Sequence, residues 1–196
     1  RKDNRARNHG IMVHALFEEI EWLDDGGPDD GTLRRIAQRF ADAEFNLDAE
    51  IDQFRAMLAN QAILTTLSRA GYEEPSELGF DADVCEELIA ASLRFQVWRE
   101  RPFAVRIEDF VLKGAIDRLI VLYDGDRPLA ADVVDFKTDT IDTSNPAELK
   151  SKVDNYRPQL EAYRVAASRL TGLDPTRVSA RLLFVGAGIV CTISAR

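Results

Sequence analysis

The stretch "GAIDRLIVLYDGDRPLAADVVDFKTDT" (114–140) decides how this chain folds. Two apolar, β-branched runs, 111–123 and 128–137, flank "DGDRP" (124–128), where Gly125 is free to take a positive φ and close a hairpin. With "FAVRI" (103–107) ahead of them, they predict three strands in a meander. Side chains two apart on a strand share a face. Asp135 and Lys137 therefore point one way, and Phe136 points the other way, into the core. The turn also brings Asp117 opposite the end of the third strand, close to Asp135. Interior strand positions favour valine and isoleucine, so a carboxylate there needs a cation, a hydrogen-bond donor or a metal.

Working outward, the first hundred residues read mostly as helix. Helical spacing of apolar residues predicts helices over 10–23, 32–41, 48–71 and 81–100. Gly71 is read as the residue closing the third of these and Glu100 as a charge at the end of the fourth. After the meander, 138–154 is a polar excursion with room for a short helix. A helix follows over 156–172, with Pro158 in its first turn and Gly172 at its end. "RVSARLLFVGAGIVCTI" (177–193) is a hairpin turning at "GAG". The whole predicts one α/β domain over 1–196: a mixed sheet with flanking helices, a mainly helical region over 1–100 and an α/β core over 101–196.

Composition sets limits on function. The chain has 196 residues and a net charge of −9. Residues 1–100 hold 11 basic and 21 acidic side chains, whereas 101–196 hold 14 and 13. Such a chain is not a non-specific nucleic-acid coat, although a metal can still grip phosphates locally. Its 2 cysteines, Cys85 and Cys191, exclude a four-cysteine zinc site or an iron–sulfur cluster and suit a reducing compartment. No apolar run is long enough to span a membrane, and no signal peptide is apparent. A cytoplasmic location is expected. The first residue is not methionine, so a fragment of a longer chain is expected.

The hairpin gathers two carboxylates and an ammonium at one end. Close carboxylates resist joint ionisation, and a divalent cation relieves the repulsion. Oxygen ligands favour Mg²⁺, with Mn²⁺ or Ca²⁺ able to substitute in binding. Lys137 is then placed to orient or deprotonate a water on that cation. On these residues alone, a surface ion pair and a metal site stand level.

"GAID" followed by "DFKTD" resembles the RecB-like branch of the PD-(D/E)XK nuclease superfamily. Three more pieces match in order: "GIMVH" (10–14), "RERPF" (99–103) and "YRPQLEAY" (156–163), the last like the family's Gln-x-x-x-Tyr helix. Within the family the wording is most similar to the C-terminal nuclease domain of AddA-type helicase–nucleases. The resemblance implies a restriction-endonuclease-like core and Mg²⁺-dependent cleavage of DNA, a single strand expected, of exonuclease type. The implied setting is double-strand break processing. Its implied partners are a helicase domain in the same chain and a second helicase–nuclease subunit. It implies His14, Asp117, Asp135 and the Phe136 carbonyl as metal ligands, and Asp117, Asp135 and Lys137 as the catalytic set. Gln159, Tyr163 and Tyr156 would contact DNA or support Lys137. Phe136 stands where the family usually has tyrosine, which leaves the carbonyl role intact. Arg157 and Arg164 read as solvated residues in preference to phosphate contacts. The alternative is a catalytically degenerate nuclease fold that binds DNA or docks a protein in a repair complex.

Overall fold

A computed structural model describes residues 2–40, 46–107 and 110–193, without the side chains of 2–6, 107 and 110. The chain divides into two compact units, Arg1–Gly71 and Tyr72–Arg196.

The first unit is helical. It comprises α1 (Lys2–Glu18), α2 (Asp30–Ala37), α3 (Leu47–Leu58) and α4 (Gln61–Thr66). Side-chain caps start three of them: Asp29 accepts from Thr32 N–H at 2.7 Å, Asn46 from Ala49 at 3.2 Å and Asn60 from Ala62 at 2.9 Å. Met12, Leu16, Phe17, Leu33, Ile36 and Phe54 are buried, and the Phe17 and Phe54 rings meet edge to face at 5.0 Å. The expected helix over 10–23 starts earlier and stops at Glu18. The helix expected over 48–71 is broken, because Asn60 caps a new helix. Gly71 lies in a 3₁₀ turn and does not close a helix; a Cβ there would come 2.0 Å from the Thr65 carbonyl oxygen, which is why no larger residue fits.

The second unit carries α5 (Ala82–Ala90), α6 (Pro146–Thr171) and five strands: β1 (Leu93–Ile107), β2 (Phe110–Asp124), β3 (Arg127–Lys137), β4 (Val178–Phe184) and β5 (Ile189–Ile193). The sheet order is β1-β2-β3-β4-β5, antiparallel except for the parallel β3–β4 pair. This is the mixed sheet and α/β class that the sequence predicts. One expected element changes type: 81–100 is not a single helix. α5 ends at Ala90, and from Leu93 the apolar residues Leu93, Phe95 and Val97 alternate with exposed Arg94 and Gln96, the period of a strand. β1 therefore begins ten residues before the predicted 103.

α6 also differs, running unbroken through Pro158 and absorbing the short helix expected in 138–154. Asn145 caps it through the Glu148 N–H at 3.4 Å, Pro146 fills its first turn, and Gly172 ends it at φ 74°. Pro158, expected in a first turn, is an interior residue of the helix, and the Asp154 carbonyl loses its helical partner there. Leu160, Ala166 and Ala167 of α6 pack with Leu119, Val121, Ala131, Val133, Leu182 and Phe184 of the sheet. Arg164, read as solvated, is buried and donates to the Val178 carbonyl at 2.9 Å and the Ile193 carbonyl at 2.5 Å.

On β3 and β4, a buried polar group sits among these apolar residues. Asp132 accepts from Tyr72 Oη at 2.8 Å, from Ser179 Oγ at 2.5 Å and from the Arg181 guanidinium. Burial, then the Asp132 charge, pushes the Tyr72 phenol well above its ordinary value. Burial pushes the nearby Arg118 guanidinium down to about 10. Among the described residues, no helix is long and apolar enough to cross a membrane.

Candidate active site

The site is built at the end of the β2–β3 hairpin. Arg118 pairs with Val134 and Leu119 with Val133, so one step further places Asp117 against Asp135, the register the turn predicts. Asp117 is half-buried, and its Oδ2 accepts the Phe136 backbone N–H at 2.8 Å. That bond fixes the carboxylate across the end of β3. Asp135 is buried, with Oδ2 2.7 Å from Lys137 Nζ. Phe136 is buried, as its place on the strand requires.

The Lys137 side chain is 13% exposed and donates to Gln159 Oε1 at 3.0 Å. Gln159 Nε2 donates in turn to Tyr163 Oη at 2.7 Å. The Lys137 ammonium also lies 4.1 Å from the centre of the Tyr156 ring, a cation–π contact. Tyr156, Gln159 and Tyr163 therefore share one face of α6, as their helical spacing predicts, and all three belong to the lysine's surroundings. Beyond them, Asp139 accepts from Tyr156 Oη at 2.8 Å and from Lys152 Nζ at 2.7 Å. Burial pushes Tyr156 up to about 12, and the bond to Asp139 adds to the shift. Burial also raises Asp139, but the bonds from Lys152 and Tyr156 outweigh it and hold the carboxyl below its ordinary value.

Tyr163 is held from its other side. Its ring meets Phe103 edge to face at 5.8 Å, and both lie against Gly114. A Cβ at Gly114 would come 2.9 Å from Phe103 Cζ and 3.7 Å from Tyr163 Cε1. The glycine of "GAID" thus makes room for the two rings.

Glu100 is not a helix-end charge. It lies on β1, between the pairs Arg99–Arg118 and Arg101–Ile116, which puts it across from Asp117. Its φ is 44°, in the left-handed region. A carboxylate oxygen of Glu100 lies within 4.8 Å of one of Asp117. The alternation in "SLRFQV" is the signal that puts Glu100 on this strand. Asp139 and Lys152 escape notice because nothing in the sequence ties a loop acid to a helix four residues before Tyr156. His14 lies half-buried on α1, in the first unit.

The donor set of the second unit is all oxygen: Asp117, Asp135, Glu100 and the carbonyl of Phe136. It suits a hard divalent cation. Clustered carboxylates beside a lysine also suit charge stabilisation at a phosphate.

Two similarities to known proteins bear on this arrangement. The chain is 26% identical over 185 residues, 86% of its length, to an ATP-dependent helicase/nuclease subunit of the AddA type from Natranaerobius thermophilus. It spans only 14% of that relative's length. The family model of the PD-(D/E)XK nuclease superfamily matches residues 1–190. With nearly the whole chain matched and its mixed sheet carrying the carboxylates and lysine of the motif, the chain belongs to the PD-(D/E)XK nuclease superfamily.

Proposed function

We propose that this domain is a metal-dependent deoxyribonuclease that hydrolyses phosphodiester bonds, of exonuclease type, on a single DNA strand. The observation that carries the reading is the juxtaposition of Asp117 and Asp135 at one hairpin end, with Lys137 Nζ 2.7 Å from the Asp135 carboxylate. Asp117, Asp135, the Phe136 carbonyl and Glu100 would hold Mg²⁺, with Mn²⁺ or Ca²⁺ able to bind in its place. His14 is assigned as a further ligand on its "GIMVH" motif. When bound, the cation supplies an acidified water and charge neutralisation at the phosphate.

The chain's own residues do the rest. Lys137 turns its ammonium toward the scissile phosphate and stabilises the charge that develops on its oxygens as the P–O bond breaks. Gln159, held by Tyr163, keeps the amine aimed. The Phe136 N–H fixes one oxygen of Asp117 and leaves the other for the cation. The intact trio of Asp117, Asp135 and Lys137 favours catalysis over a degenerate binding module.

The name of the relative, which is that of a helicase/nuclease component, supports a role beside a helicase motor with a second subunit, in break processing and recombinational repair. The net charge of −9 fits that arrangement: unaided affinity for a polyanion is low, and a motor that delivers the strand removes the need for it.

Asp117→Ala and Lys137→Ala should each abolish Mg²⁺-dependent cleavage of single-stranded DNA, with circular dichroism unchanged. Calorimetry should show Mn²⁺ binding to the unsubstituted chain and none to Asp117→Ala. Cleavage at the original rate in either variant sinks the reading.

A further inference from the structure

We propose that Asp139, with Lys152, is a positioning group for Lys137, acting through the Tyr156 ring. The inference rests on the nuclease reading for its catalytic consequence but not for its geometry.

Three groups surround the Lys137 ammonium within the second unit: the Asp135 carboxylate, the Gln159 amide oxygen and the Tyr156 ring face. The first two make directional bonds. The ring does not, since it attracts the ammonium through its quadrupole over a broad area. A ring therefore defines the ammonium's place only if the ring itself is held. Packing against Phe184, at 6.5 Å between ring centres, limits Tyr156 on one side. Its hydroxyl is tied by a 2.8 Å bond to Asp139 Oδ2. The second oxygen of Asp139 takes the Lys152 ammonium at 2.7 Å, so both oxygens of the carboxylate are engaged.

The covalent layout makes this a closed brace. Asp139 is two residues beyond Lys137 on the chain leaving β3, and Lys152 and Tyr156 stand one helical turn apart on α6. Asp139 thus clamps the loop after the lysine to the helix that supplies the ring. A solvated pair would not need this geometry. The Lys152 side chain is 31% exposed and that of Asp139 is 24% exposed, so solvent screens the pair only in part. Asp139 touches neither a reacting atom nor a cation ligand. Its effect runs through Tyr156 to Lys137.

Two measurements on the full 196-residue chain test this. The first needs neither metal nor DNA: trace acylation of lysines, read by peptide mass spectrometry. Asp139→Ala and Tyr156→Leu should raise the acylation of Lys137 about tenfold, the factor a partly desolvated cation–π contact implies. Exposed Lys113 and Lys150 should react as before. The second is cleavage of single-stranded DNA with Mg²⁺. Asp139→Ala and Tyr156→Phe should each lower kcat about fivefold with KM unchanged, a fold-change that one neutral or charged hydrogen bond supplies. The double variant should be no slower than the slower single one, because both break the same link. Asp139→Asn, which keeps an acceptor for the Tyr156 hydroxyl, should recover most of the rate.

Unchanged Lys137 acylation in both variants overturns the proposal, as does a double variant whose losses multiply. A chain that does not cleave DNA at all removes the nuclease reading, and the acylation result then decides the brace alone.

Discussion

Glu100 is the one non-glycine residue at positive φ among the described residues. A side chain with a Cβ in that region carries about 1 kcal/mol of strain. The strain sits where Glu100 crosses Asp117 and turns its carboxylate toward it. Replacing the side chain separates strain from chemistry. Glu100→Gly should be more stable than Glu100→Ala by about 1 kcal/mol in urea unfolding, because only glycine relaxes at that φ. Both should weaken Mn²⁺ binding in calorimetry, since both lose the carboxylate. Equal stabilities would show that the backbone there is not strained. The residue is hard to place from the sequence for a local reason: "CEELIAASL" is rich in helix formers, and they mask the two-residue period that begins at Leu93. Asp117, Asp135 and Lys137 are legible because a tight turn fixes register, and register fixes which side chains meet.

At the scale of elements, α6 shows what punctuation rules miss. Pro158 ends or starts helices in most contexts because it lacks an N–H and crowds the preceding turn. Here the turns before it are held from outside the helix. Lys152 and Tyr156 bond to Asp139, and Leu149, Val153 and Tyr156 pack on the core. Tertiary contacts therefore carry the helix through a residue that local propensity forbids. Pro158→Ala should restore the bond to the Asp154 carbonyl and add about 2 kcal/mol to stability, read as a higher urea midpoint with unchanged slope. A loss of stability would mean that packing depends on the break. The same dependence on distant partners explains why the start of β1 and the extent of α6 cannot be read in advance, whereas the hairpins at 124–128 and near "GAG" can.

At the scale of the molecule, most of the second unit's sheet is apolar, and one polar cluster is sealed within it. Asp132 is fully buried and takes hydrogen bonds from Tyr72, Ser179 and Arg181. Removing the acid leaves Arg181 buried without its counter-charge. Asp132→Ala should cost about 3–5 kcal/mol, measured by denaturant unfolding. A cost below about 1 kcal/mol would place the cluster with exposed ion pairs. The cluster also differs from the proposed active site in chain distance. Tyr72 reaches 60 residues to Asp132 and 109 to Arg181. Asp117 reaches 19 to Phe136, Lys137 reaches 22 to Gln159, and Asp139 reaches 17 to Tyr156. Loop-closure entropy grows with the logarithm of that distance, and long-range contacts form late. The lysine's surroundings close over one short strand–loop–helix segment, so they can form early, before the sheet's far pairings are complete. The shape of the reactive corner is then inherited from local chain order, and the sealed cluster completes the remainder of the fold around a site already set.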